Sequence, residues 1–201
     1  MSIQTMAAQM RVEIDDIEKT RWQDTQLAVF LTKSARRINQ LAIRHELDFA
    51  MKADDVILKT DGSIEGIVYD KVNAVCMLTR KDNKIPLKHL LPMHYLTADS
   101  VSGVAIWTFL NGIAQYREPA SEDVPAVFLH YPIVTISSTE SPWNGRLDDL
   151  IVEYASLRAK NVDEMTLQMD MQLMGELEKR LLENYNRIQP QISKMRGWNT
   201  G

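Results

Sequence analysis

One cysteine, Cys76, stands in 201 residues, so the chain can form no internal disulfide and no cysteine-rich zinc site. That usage suits a reducing cytoplasm. Glycine is also scarce, with eight residues scattered mostly through turns, and none of them builds a phosphate-cradling loop. No apolar run approaches the roughly 20 residues of a membrane span, and the longest, such as Val104-Ala-Ile-Trp107, are strand-sized. The N-terminus, Met-Ser-Ile-Gln-Thr-Met-Ala-Ala, lacks the charged and apolar regions of a secretory signal, which predicts a soluble protein made and kept inside a cell. Positive charge is in deficit too: the net charge is −4, against the basic footprint of a general nucleic-acid binder. What remains is ordinary globular composition, 45% hydrophobic and 25% charged, enough for one domain with a real core.

Two amphipathic stretches open the chain. Ile3, Met6, Met10 and Ile14, continued by Ile17, recur at helical spacing. Asp15, Asp16 and Glu18 then oppose the helix dipole, which predicts a stop by about Ile17. Asp24 reads as the N-cap of a second helix over 24–44, with Trp22 placed to pack back over its first turn. Its apolar stripe is Leu27, Phe30, Leu31, Ile38, Leu41 and Ala42, and Lys33, Arg36, Arg37 and Arg44 take the other side.

The next hundred residues are rich in β-formers. Strands are expected at Asp48–Met51, Asp55–Lys59, Ile67–Tyr69 and Val72–Leu78, with Asp61-Gly62 as a turn. Pro86 and Pro92 bracket a segment read as a helical turn carrying His89. Asn111-Gly112, between Val104–Leu110 and Ile113–Tyr116, supplies both positive φ angles of a type I′ hairpin. Val127–Tyr131 and Ile133–Ile136 add one or two strands, with Pro132 marking a bulge or an edge.

Helix returns after the turn-rich Ser137–Gly145. Leu147, Leu150, Ile151, Tyr154 and Ala155 form one amphipathic face, with Asp148 and Asp149 in the first turn and Arg158 and Lys160 in the last. Asn161 and Glu164 have capping-box spacing ahead of a longer helix through Met165, Met169, Leu173, Leu177 and Leu181. Pro190 should end that helix and leave 190–201 as an extended arm carrying Lys194, Arg196 and Trp198. The methionines at 165, 169, 171 and 174 are adaptable apolar surface, divided between core and subunit interface.

Residues with chemical potential each have a plainer reading. His45, His89, His94 and His130 lack zinc spacing and read as surface or interface histidines. The pairs Asp15/Asp16, Asp54/Asp55 and Asp148/Asp149 suggest general acid–base work, but a helix N-terminus explains the last, and solvated charge at element ends explains the others. Ser102-Gly103 lacks the frame of a nucleophile elbow, and Cys76, in an apolar strand, reads as core. Arg36, Arg37 and Arg44 are followed by Glu46 and Asp48, which favours a solvated face or a protein contact over phosphate binding.

Two phrases carry a resemblance. The first is Arg11, Asp15/Asp16, Trp22, Asp24 and Leu27, continuing into Ala35-Arg-Arg-Ile38; the second is Leu147-Asp-Asp-Leu-Ile-Val-Glu-Tyr-Ala-Ser-Leu-Arg-Ala159 before a long helix. In that order around a β-rich middle, they resemble the head-to-tail adaptor (connector, head completion) proteins of tailed bacteriophages. The resemblance covers most of the chain through packing motifs.

It implies an α+β fold: a helical platform from the N- and C-terminal helices (1–46 and 146–189) with a β-rich extension, a hairpin or small sandwich, at 47–137. It implies a non-enzymatic virion protein without cofactor or metal, made in the host cytoplasm and placed at the head–tail junction. Such a protein forms a homo-oligomeric ring, commonly a dodecamer, beneath the portal protein. The ring extends the channel through which genomic DNA passes without specific binding, and it docks the tail or nozzle proteins. The interface candidates are then Arg36, Arg37, Trp143, Lys194, Arg196 and Trp198. Other readings are a tail terminator or minor capsid protein, a cell-wall-directed hydrolase with an acidic pair at Asp54/Asp55 or Asp148/Asp149, and a bacterial scaffold.

Overall fold

The computed structural model describes residues 1–97, 105–117, 121–136, 141–162 and 167–196, with the side chains of 97, 167 and 187–196 outside that description. The fold mixes helices with a seven-stranded sheet and divides into two compact units, Met1–Phe49 with Val134–Gly201, and Ala50–Ile133.

The first unit is helical. α1 (Ile3–Glu13) starts at Ser2, whose hydroxyl accepts from the Thr5 amide at 3.2 Å. α2 (Asp24–Arg44) starts one residue before the expected cap: Gln23 is the N-cap, its amide donating to Gln26 Oε1 at 2.9 Å, and Asp24 is the first helical residue. The two helices end by one device. Asp15 and Glu46 adopt left-handed backbone with φ of 57° and 52°, the conformation that more often selects glycine after a helix. The next amides then reach back, Asp16 to Arg11 O and Leu47 to Ala42 O, each at 2.9 Å. α1 therefore stops short of Ile17, which stands exposed.

α4 (Asp148–Lys160) packs against α1 and α2, and α5 (Leu167–Arg196) against α2 and α4. Met6, Met10, Leu27, Leu31, Ile38, Leu41, Ile151 and Ala155 are buried, so the stripe read from spacing is the face that packs; Phe30 is half-buried and holds the Trp22 ring edge-on at 5.2 Å. α5 runs on through Pro190 to Arg196, correcting the expected stop there. A proline inside a helix removes one hydrogen bond and crowds the preceding turn, at about 3 kcal/mol, but need not terminate it. Glu164 of the expected capping box lies outside the described residues; Asn161 closes α4, with its side-chain amide donating to Leu157 O at 2.8 Å.

The second unit is one sheet in the order β2-β1-β7-β3-β4-β5-β6, rather than a sandwich. Its strands are β1 (Lys52–Leu58), β2 (Ile64–Glu65), β3 (Val72–Arg80), β4 (Pro86–His89), β5 (Ile106–Leu110), β6 (Ile113–Tyr116) and β7 (Val124–Pro132). The outer strands meet: Ser63 bridges Gln115, the Tyr116 amide donates to Gly62 O at 2.8 Å, and Tyr116 Oη donates to Lys59 O at 2.7 Å. The sheet thus curls closed, which satisfies edges that would otherwise template pairing with other chains. Inside lie Val56, Leu58, Leu78, Leu87, Trp107, Tyr116, Ala126 and Phe128. β4 and β5 run parallel, joined through the short helix α3 (Pro92–Thr97).

Several local expectations change. Asp48–Ala50 and Tyr69–Lys71 are single 3-10 turns instead of strands. Residues 86–89 are strand, and the helical turn follows at Pro92, carrying His94 instead of His89. β7 is one strand ending at Pro132, with no strand at 133–136. Asn111 and Gly112, with φ of 51° and 79°, make the expected hairpin. Cys76 is exposed instead of buried. Val75 pairs with His130 but Met77 with Leu129, so Cys76 is the extra residue of a bulge and leaves the alternation that would have turned it inward.

Candidate interaction surfaces

The most tightly organised polar cluster sits where α1 turns into α2. Arg11 belongs to the packed face of α1 with Met6 and Met10 and is only 5% exposed. Its guanidinium fork is filled: Nη1 donates to Asp16 Oδ2 at 2.8 Å and to the Asp16 carbonyl at 3.2 Å, and Nη2 donates to Asp24 Oδ1 at 2.6 Å and to Trp22 O at 2.9 Å. Asp16 also accepts from the Arg21 and Trp22 amides at 2.9 and 3.0 Å and from the Thr20 hydroxyl. The Arg21 amide is the main cause holding the Asp16 carboxyl below its ordinary pKa; burial opposes it, and Trp22 and Thr20 add to the lowering. Asp24 is held low first by Arg11 and then by Lys19, whose ammonium lies at 2.9 Å. Such a fork fixes the direction of the chain between two helices, because each donor has one place to point. Beside it is a cleft of about 380 Å³ lined by Ile3, Ala7, Ala8, Arg11, Asp24 and Ala28.

Asp148 and Asp149 stand in the first turn of α4, as expected, while the other two pairs differ from the picture of solvated ends. Asp16 is buried. Asp148 is buried too, with the Met1 amine against its Oδ2. Asp54 and Asp55 lie mid-strand in β1, where consecutive side chains take opposite faces, so they do not converge. Asp54 lies 2.9 Å from His130 Nε2 and 2.8 Å from Lys52 Nζ. Burial works to raise its pKa, but the Lys52 and His130 hydrogen bonds outweigh that and lower it. Asp55 turns outward to Lys81 at 2.9 Å.

Of the histidines, His130 is buried rather than superficial, stacked on Phe128 at 4.7 Å, and its Nδ1 has no hydrogen-bond partner among the described residues. Its inward direction was readable: His130 is in phase with Val124, Ala126 and Phe128. His45 meets Glu178 of α5 at 2.5 Å. His89 lies against Trp107 at 4.7 Å, and partial burial lowers its pKa. His94 is exposed. Among the described residues no group of three or more His, Cys, Asp or Glu is placed to hold a metal ion, and no helix is long and apolar enough to cross a membrane.

The interface candidates do not gather into one site. Arg36 is exposed on α2, and Arg37, half-exposed, donates to Gln40 Oε1 at 2.9 Å. Trp143 is half-buried at a left-handed position (φ 54°) before α4, its ring edge-on to Phe49 at 5.8 Å, so it serves packing within the helical unit. Lys194 and Arg196 have helical backbone in α5 with side chains outside the description, and Trp198 lies outside the described residues.

The exposed apolar residues mark surfaces that spacing alone did not. On the outer face of the sheet, Met77, Thr79, Val127 and Leu129 line an open groove of about 480 Å³ edged by Arg80, Lys81 and Lys84. Larger exposures occur at Val12 and Ile17 beside the Arg11 cluster, and at Leu91, Met93 and Leu96 around α3. No protein-family model matches the chain, and no curated protein matches it.

Proposed function

We propose that this chain is a structural virion protein of the head-to-tail adaptor kind, which binds the portal as a ring, lengthens the DNA channel and offers a docking platform to the tail. The observation that carries this reading is the chain's division of labour. Met1–Phe49 and Val134–Gly201 build one helical unit, and the stretch between them builds a separate closed sheet. Helices drawn from both ends make a platform, and an inserted sheet makes an extension that can carry contacts of its own. An adaptor needs both, because one surface must meet the portal and another the tail.

Two further features support the reading. The Arg11–Asp16–Asp24 fork sets α1 and α2 at a fixed angle, and a repeating subunit needs such rigidity to meet identical neighbours at identical angles. α5 is thirty residues long, yet among its described side chains only Leu177 and Leu181 are buried. We assign its last turns, with residues 190–201, to the portal, where Trp198 would anchor and Lys194 and Arg196 would pair with carboxylates.

The test is mass photometry of the protein alone and mixed with the portal encoded beside it. Addition of many copies per portal is the expected result. A stable small oligomer that ignores the portal would overturn the reading. A chain truncated before Pro190 should lose portal binding, and full binding by that truncation would remove the arm from the mechanism.

A further inference from the structure

α5 is thinly anchored within the helical unit. Among residues 168–186 only Leu177 and Leu181 are buried, whereas α4, with thirteen residues, buries eight. Its other ties are polar and partly solvated, and they form two sets. Before Gly175, Asp170 lies 3.2 Å from Arg158 of α4, and Tyr154 Oη donates to Met174 Sδ at 3.2 Å. After it, Glu178 holds His45 at 2.5 Å and Arg44 at 3.7 Å at the end of α2, and Arg180 meets Glu153 of α4. Solvated ion pairs of this kind hold little, and salt screens them. A crevice of about 20 Å³ separates Leu150 and Leu157 of α4 from Leu173 and Leu177 of α5, so the seam falls short of close packing.

Gly175 lies at the joint between the two sets. Glycine weakens a helix interior and is a usual place for a helix to bend. It earns such a position structurally where the backbone needs a positive φ, or where a neighbour comes too close for a Cβ. Neither holds here. Gly175 is helical, and a Cβ built on it would meet nothing within 4 Å. The weak point of α5 therefore serves no packing need.

We infer that Gly175 is a hinge, and that α5 beyond it is a strap that leaves α2 and α4 while the first turns, through Met174, stay on α4. From Glu176 to Arg196 the strap is about 30 Å long at 1.5 Å per residue. Its release uncovers Leu177 and Leu181, so the free chain keeps it docked, and a partner that covers both leucines draws it out. The inference rests on the portal reading above only for the identity of that partner.

Thiol labelling of the isolated chain reads the release directly. In a Cys76→Ser background, Leu181→Cys should react with a soluble maleimide at least ten-fold faster than Ala35→Cys, which is also buried but lies on α2. Adding Gly175→Ala should slow labelling at 181 about five-fold and leave labelling at 35 unchanged. Hydrogen exchange on the unaltered chain makes the same comparison without a core substitution: amides of 176–186 should exchange ahead of those of α2 and α4. Exchange at one rate across the three helices, or labelling at 181 that ignores Gly175→Ala, would overturn the hinge. His45→Cys with Glu178→Cys, bridged by a short bismaleimide, pins the strap down. Unbridged chains should join the portal and bridged ones should not. Bridged chains that load as well as unbridged ones would overturn the strap and leave the adaptor reading standing. Hinge-dependent labelling in a protein that ignores the portal would keep the strap and remove that reading.

Discussion

Trp107→Ala is the sharpest probe of the closed sheet. The indole is 0% exposed, with Phe128 edge-on at 5.6 Å and 90°, Phe109 at 5.3 Å and His89 at 4.7 Å. A buried tryptophan removes roughly 150–250 Å² from water. At about 25 cal/mol per Å², that corresponds to roughly 4–6 kcal/mol as an upper bound. Alanine keeps a little of this, while the cavity and lost ring contacts add cost, so the expected loss is about 3–5 kcal/mol. A unit the length of Ala50–Ile133 has a total stability on the order of 4–13 kcal/mol, so the lesion removes roughly a quarter of it or more. Hydrogen exchange resolved on peptides from β1, β3, β5 and β7 is the suitable assay, because far-ultraviolet dichroism is dominated by the helices. Protection in those four strands should fall together, and Trp107→Phe, which keeps a ring against Phe128, should lose less. A loss under about 1 kcal/mol, or a loss confined to β5 alone, would refute a single core organised on this indole.

Arg11→Met should destabilise the helical unit far more than Lys19→Met, because Arg11 fills a buried fork while Lys19 meets Asp24 in solvent; thermal unfolding of the two variants decides, and equal effects would count against the fork. Asp16, Asp24 and Asp54 all have lowered carboxyl pKa values in the folded protein, so the stability they confer is present above the ordinary carboxylate range, near 4, and is lost as pH falls through their folded values. Burial of His89 lowers its pKa, so stability also declines as pH falls below the ordinary imidazole value of about 6.5. Denaturant midpoints should therefore decline from about pH 6.5 and drop further below about 4, with a shallower acid drop in Asp16→Asn. Gly66→Ala should cost more than Gly112→Ala. Both glycines have positive φ, but a Cβ at Gly66 would meet Asp55 O at 3.2 Å, while at Gly112 it meets nothing within 4 Å, leaving only the backbone cost of about 1–2 kcal/mol.

What the sequence made legible follows the range of the forces involved. α2 was readable to within one residue because helical spacing is local and its stripe is long, and the β5–β6 hairpin because Asn111-Gly112 admits few other conformations. The order of the sheet was not readable: β1, β7 and β3 are neighbours in space, but pairing between distant segments leaves little trace in any one of them. Cys76 was misplaced for a definite reason. A bulge adds one residue, and one residue reverses the parity on which an inward or outward assignment depends. Pro190 was misread because an inherited rule about helix interiors states a cost, and a long helix can bear a cost of that size. The candidate surfaces divide in the same way. Arg11, Asp16 and Asp24 appeared in the opening phrase, but their meeting depends on the left-handed turn at Asp15, which brings Asp16 back beneath the end of α1. That turn makes the corner rigid and also throws Ile17 and Glu18 outward beside Val12. The residues that fix the angle between α1 and α2 thus also create the exposed acidic and apolar corner, so a change that loosens the fork should reshape that corner before it unfolds the chain.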